Sequence, residues 1–397
     1  MSPVDDEIAW KAVRHRLSRL GFVCGTKSTR LASNRWMLSE AWRLSIPRRR
    51  LTIGLVAMVA ASLLQGCGPS PVGSCSTQPA LPSSAVHTGA PPPRSYEALA
   101  QESDGGHLIL YGGESVLGPV LFDTWLWDGR SWSEHRQPLG PRVYWPLMTF
   151  DRAHDQIVLT GATIDDPTRA TAATQTWLWH GGSWQQAHPS NAPNSYSADS
   201  STAYDAANRR VVLYADIPKG YVATHEMWSW DGTNWIRVSL PPVVYYAAPR
   251  WIAPGPDGDI LGLGKNGQPD QKGVIYKWNG QDWKVLDVTG TPGAVRADAY
   301  DPVHRRLVVI GSSDAEIPDV PPPSDSTFTF DGHGWSATPL PAELRGRVNP
   351  ALTWYGGACT LALWGGSQGH GNATLPPPQN YTDTWYASEH GWVNVAR

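Results

Sequence analysis

The stretch that decides the fold is "DTWLWDGRSW", residues 123–132. It returns five more times. "QTWLWHGGSW" ends at Trp184, "EMWSWDGTNW" at Trp235, "VIYKWNGQDW" at Trp283, "STFTFDGHGW" at Trp335 and "DTWYASEHGW" at Trp392. The steps between closing tryptophans are 52, 51, 48, 52 and 57 residues. A regular beat of this length marks an array of supersecondary units, and a catalytic motif has no need of six copies.

Each copy reads as a hairpin. Asp128-Gly129 is a strong two-residue turn signal, because both residues tolerate the positive φ of a type I′ turn. Centred there, the turn predicts that Trp125 faces Trp132. The same offset pairs Trp177 with Trp184, Trp228 with Trp235, Tyr276 with Trp283, Phe328 with Trp335 and Trp385 with Trp392. Such cross-strand aromatic pairs add up to ~1 kcal/mol each over Ala pairs. The last copy has "SEHG" in place of the Asp-Gly turn.

A buried-strand pattern precedes each hairpin: "HLILYGG", "QIVLTGA", "RVVLYAD", "DILGLGK", "RLVVIGS" and "TLALWGG". Before these lie strands closing on Asp-led turns, such as "MTFDRAHD", "TAYDAANR" and "ADAYDPVH". No segment after Cys67 holds a helical period. Each unit is therefore four strands, A to D, and six four-stranded sheets around an axis make an all-β, six-bladed β-propeller over residues 94–397. Large flat side chains fill the wedges between blades, which accounts for 21 Trp in 397 residues. The first unit has its own A strand and the last its own D strand, so the ring closes without borrowing one.

The strand–Gly-Gly–loop–aromatic–turn–Trp order, carried by "LYGG", "LWGG" and the six closing tryptophans, resembles the kelch repeat. The "TWLWDG" form looks like bacterial kelch-like proteins related to the galactose oxidase central domain. The resemblance covers 94–395 and implies a propeller that mostly binds partners. The copper oxidases of that superfamily need a Tyr crosslinked to a Cys, with His and Tyr ligands. Cys359 is the only cysteine well inside the array and no matching set accompanies it, so no metal or other cofactor is expected.

The N-terminal residues read as an address. "RRRLTIGLVAMVAASLLQGCG", from Arg48, has a basic head, a short apolar run and small residues before a cysteine, which is an export signal. Its apolar run falls short of the ~20 residues that span a bilayer. The Leu-x-Gly-Cys ending resembles a bacterial lipobox, which implies cleavage before Cys67 and acylation of its sulfur. Residues 37–66 are read as the signal peptide. Residues 1–36, which fit no signal, are read as a mis-called extension before a true start at Met37. Residues 67–93, rich in Pro, Ser, Gly and Ala, follow as the acylated cysteine and a disordered tether. Export to an oxidising compartment makes a Cys75–Cys359 bridge feasible.

The chain is thus expected on the outer face of a bacterial cell membrane. Residues 1–67 hold 11 Lys+Arg and four Asp+Glu, leaving 21 basic and 31 acidic residues in the body. Such an acidic body gives nucleic acid no electrostatic purchase.

Three tests for chemistry bear on function. Gly365-Gly366-Ser367-Gln368-Gly369 matches G-x-S-x-G, yet no helix follows, so it reads as the end of a strand rather than a nucleophile elbow. Twelve scattered histidines show no metal-ligand spacing. Arginine is the informative residue. Arg94, Arg142 and Arg347 each lie 18 or 19 residues before the first Gly that ends strand B (Gly112, Gly161, Gly365). That places all three where strand A enters the channel mouth of blades 1, 2 and 6.

The long B–C loops (163–174, 313–325, 368–381) open on the same face as the D–A connections. The expected function is therefore a membrane-anchored binding module using that face, with Arg94, Arg142, Arg347, Tyr96 and Tyr144 gripping an anionic glycan or peptide. The rival is a sialidase-type glycoside hydrolase, whose arginines hold a carboxylate. It needs a Tyr–Glu pair, for which Glu97 with Tyr96 or Tyr144 is nearest in sequence.

Overall fold

The computed structural model describes residues 89–396, apart from 104–105, 116–118, 164–172, 195–196, 220–221, 239, 241–248, 266–272, 313–324 and 369–379. Six four-stranded antiparallel sheets follow one another along the chain. Blade 1 runs through Ala98–Gln101, Leu108–Tyr111, Thr124–Trp127 and Trp132–His135. Blade 2 has Val143–Asp151, Gln156–Thr163, Thr174–His180 and Ser183–Ala187. Blade 3 has Ser201–Asp205, Arg210–Lys219, Val222–Trp230 and Trp235–Val238. Blade 4 has Pro249–Pro254, Ile260–Lys265, Gly273–Trp278 and Trp283–Leu286. Blade 5 has Ala294–Asp301, Arg306–Ser312, Asp325–Phe330 and Trp335–Pro339. Blade 6 has Ala351–Tyr355, Thr360–Trp364, Thr384–Ser388 and Gly391–Ala396. The inner A strands touch in ring order, the first against the sixth included. This is the six-bladed propeller that the repeat implies, and the last sheet contains only blade 6 strands.

The hairpin register differs from the sequence expectation. Trp127, not Trp125, faces Trp132, and the pairs in blades 2 to 5 are Trp179–Trp184, Trp230–Trp235, Trp278–Trp283 and Phe330–Trp335. Their ring centroids lie 5.1–5.3 Å apart. The cause is the turn. The Asp128 carboxylate accepts from both the Arg130 and Ser131 amides at 2.8 Å. Residues 128–131 thereby close as a four-residue loop with Gly129 at φ 95°. Asp231, Asn279 and Asp331 cap in the same way. The shift is two residues, so every side chain keeps its face of the sheet.

Between blades, four of the six closing indoles reach a threonine. Trp184 Nε1 donates to Thr124 Oγ1 at 3.0 Å, Trp235 to Thr176 at 2.9 Å and Trp392 to Thr327 at 2.9 Å. Trp132 completes the circle on Thr384 at 3.1 Å. In blade 4 the matching position is Ile275, and the Trp335 Nε1 that faces it is buried without a partner. The seams are otherwise apolar clusters of Leu, Ile, Val and aromatic residues. Fully burying one such side chain is worth ~1.5–3 kcal/mol.

Candidate functional site

Two of the three arginines expected at the mouth are paired inside the protein. Arg94 is fully buried and its two terminal nitrogens meet Asp123 Oδ1 and Oδ2 at 2.5 and 2.7 Å. It also donates to the Gly112 and Pro92 carbonyls. Arg347 repeats this on Asp383 at 2.5 and 2.7 Å, with the Gly365 and Glu343 carbonyls. Both aspartates also accept an indole, Trp125 and Trp385 respectively. In each blade the fork ties the incoming chain to the start of strand C. These two guanidiniums are therefore spent on the protein's own carboxylates, and the cationic cluster expected at the mouth does not form. Only Arg142 of the three is exposed, its guanidinium 4.7 Å above the Phe122 ring.

The tyrosines fare differently. Tyr144 donates from its hydroxyl to Glu114 Oε2 at 3.0 Å, and its ring lies 4.5 Å from that of Trp145. Tyr96 hydrogen-bonds the Asn349 side chain, with Glu114 and Asp199 close enough to act on it electrostatically. Tyr96, Tyr144, Trp145, Glu114 and Asn349 are all half-buried. They stand where strand A enters and strand B leaves, at the B–C/D–A end of the channel. Burial and Glu114 push the Tyr144 phenol up to about 12; burial likewise raises Tyr96.

The backbone here is unusual. Tyr96, Trp145 and Asn349 have φ of 59°, 49° and 49°. These are bulky or polar L-residues in the left-handed region, where β-carbon crowding costs energy. Three such positions at the same entrance of blades 1, 2 and 6 belong with sites whose side chains are held in place by their surroundings.

Deeper in the channel, Thr149 and Thr202 join the inner strands of blades 2 and 3 through their hydroxyls at 3.2 Å. On the far wall the Trp251 indole donates to Asp298. Burial pushes Asp298 up to about 7, the indole working against it.

Glu97, the acid nearest Tyr96 in sequence, does not reach the mouth. It is buried between blades 1 and 6, where neither carboxylate oxygen makes a hydrogen bond of good geometry. Burial raises it to about 8, against its own backbone, the Arg94 charge and the amides of Gly366 and Ala351. The Tyr–Glu pair at the mouth is Tyr144–Glu114 instead.

Glu114, Trp145 and Asn349 were missed in the sequence. A usable signal existed: Tyr96 and Asn349 each follow a mouth arginine by two residues. The predicted B–C loops lie almost wholly outside the described residues, as do the signal peptide, Cys67 and Cys75. Cys359 is disulfide-bonded, and its partner lies outside the described residues. Among the described residues no group of three or more His, Cys, Asp or Glu gathers to hold a metal, and no helix is long and apolar enough to cross a membrane.

No known family profile matches the chain, and no curated protein matches it. Solved structures do. AofleA from Arthrobotrys oligospora is 13% identical with a TM-score of 0.47, over 77% of this chain and 87% of that one. The SapL1 lectin in complex with alpha methyl fucoside is 13% identical with a TM-score of 0.46, over 77% and 96%. A fungal alcohol oxidase of the AA5 family, in complex with copper, is 15% identical with a TM-score of 0.47, over 78% and 66%.

Proposed function

We propose that this chain is an exported binding module, anchored through acylated Cys67, that takes a neutral polyhydroxylated ligand at the channel mouth. The observation behind this reading is the aromatic and polar group of Tyr96, Tyr144, Trp145, Glu114 and Asn349. Flat rings offer an apolar face to C–H-rich surfaces, while Glu114 and Asn349 supply hydrogen bonds at their edges. With Arg94 and Arg347 neutralised inside the protein, Arg142 alone of the three arginines is left to meet an anionic glycan or peptide, so the ligand is drawn as uncharged.

The test is a panel of neutral and acidic oligosaccharides and acidic peptides against the purified chain. Neutral glycans should bind, and Trp145→Ala or Tyr144→Ala should weaken them at least tenfold. Preference for acidic ligands, or indifference to both substitutions, would refute the reading.

One observation favours the hydrolase: Tyr144 and Glu114 form a Tyr–Glu pair. Its phenol, pushed up to about 12, stays protonated at neutral pH, and the arginines such an enzyme directs at a carboxylate are occupied. Glycosidase activity lost in Tyr144→Phe would nonetheless restore it.

A further inference from the structure

The seam between blades 5 and 6 lacks what fills the others. In blades 1 to 5 the residue opposite the closing Trp is aromatic: Trp127, Trp179, Trp230, Trp278 or Phe330. In blade 6 it is Ala387. The facing wall is small as well, where the next seam has a tyrosine. At the join of blades 6 and 1, the Trp127 indole donates to the Tyr386 hydroxyl at 2.7 Å. The residue of blade 5 matching Tyr386, six before its closing Trp, is Thr329.

A cleft of about 470 Å³ opens there, lined by Ala387, Thr329, Thr327, Trp354 and Trp392 among others. Cavities of ~300–1,000 Å³ are the usual size of small-ligand sites. Its walls are reachable from solvent. Thr124, Thr176 and Thr384 are buried to 4% exposure or less, whereas their counterpart Thr327 is half-buried, as is Trp392.

We propose that this cleft is a second binding site, distinct from the mouth, for a flat heteroaromatic ring bearing an N–H, of which indole is the type. The molecule supplies its own template. In the neighbouring seam the Trp127 ring sits 5.3 Å from Trp132 and gives its N–H to a hydroxyl. In the open seam, Trp392 offers the same ring and Thr329 the hydroxyl. A ligand ring entering from outside takes the place the side chain of Ala387 leaves. Thr329 already shares a hydrogen bond with Ser336 at 2.5 Å, which leaves its second lone pair to accept.

The experiment is ¹⁹F NMR of 5-fluoroindole with the purified full chain. Wild type should broaden the resonance at least threefold more than Ala387→Trp, whose own indole fills the slot and whose melting temperature should rise. Ala387→Phe, which fills the same slot with a ring that has no N–H, should also abolish the broadening and guards against a folding defect in the first variant. Equal broadening by wild type and a folded filled variant would overturn the site. Displacement of the probe by methyl pyranosides would overturn the ring assignment in favour of a sugar.

Discussion

Trp132 and Thr384 stand 252 residues apart in sequence, and their side chains meet at 3.1 Å where the first blade joins the last. The same contact at three other seams makes it a repeated clasp rather than a local accident. Removing the acceptor while keeping the shape leaves a buried indole N–H unpaired. Thr384→Val should therefore cost about 1–3 kcal/mol. Thr327→Val, at the half-open seam where water can reach Trp392, should cost less. Chemical denaturation of the two variants checks the order.

The buried forks give a second contrast. Burial pushes Asp123 up, but the Arg94 hydrogen bonds and charge more than offset it and hold it below the usual carboxylate range. Breaking such a pair leaves a charge enclosed without its partner, at about 3–5 kcal/mol. Arg94→Met and Arg347→Met should both lose stability on that scale, while Arg142→Ala stays within about 0.5 kcal/mol of wild type. Urea midpoints measure all three, and equal midpoints would show that the forks are dispensable.

Glu97 makes stability depend on pH. Its folded value, about 8, lies above the ordinary 4.5, so the native state holds a proton that the unfolded chain releases. The contribution is complete below about pH 4.5, declines as pH rises through the window to about 8, and is lost above it. Glu97→Gln should flatten this slope and melt higher than wild type at pH 8–9. Melting curves at pH 5, 7 and 9 decide it.

The anchor and the bridge are tested together on membranes. Cys67→Ser should leave unprocessed precursor lacking acyl chains. Non-reducing peptide mapping of the wild type should find Cys359 joined to Cys75. A Cys359 peptide linked to any other cysteine would exclude that pairing.

The blade count was legible because six tryptophans recur every 48 to 57 residues and a ring of sheets shelters them, four buried and two half-buried. The register was not, because a Gly after Asp signals a turn without saying whether the Asp side chain will cap it into a longer loop; that depended on Asp128 bonding two amides. The arginines misled for a related reason. Sequence spacing placed Arg94 and Arg347 correctly at the strand entrances, but their partners Asp123 and Asp383 lie 29 and 36 residues further on, and only the folded sheet brings them together. Glu114 and Trp145 became visible through backbone bends that no pattern of residue types announces. Ala387 could have been noticed as the odd member of its column once the true register was known.

Among the described residues no strand passes from one sheet to another where the circle closes; contacts that each involve a side chain fasten it. The beginning of the polypeptide is thus arbitrary with respect to the architecture. A gene rearranged to start at the second blade and finish at the first would encode the same set of neighbours. Lineages that gain or shed a whole repeat need only renew one fastening, with no interwoven terminus to unpick.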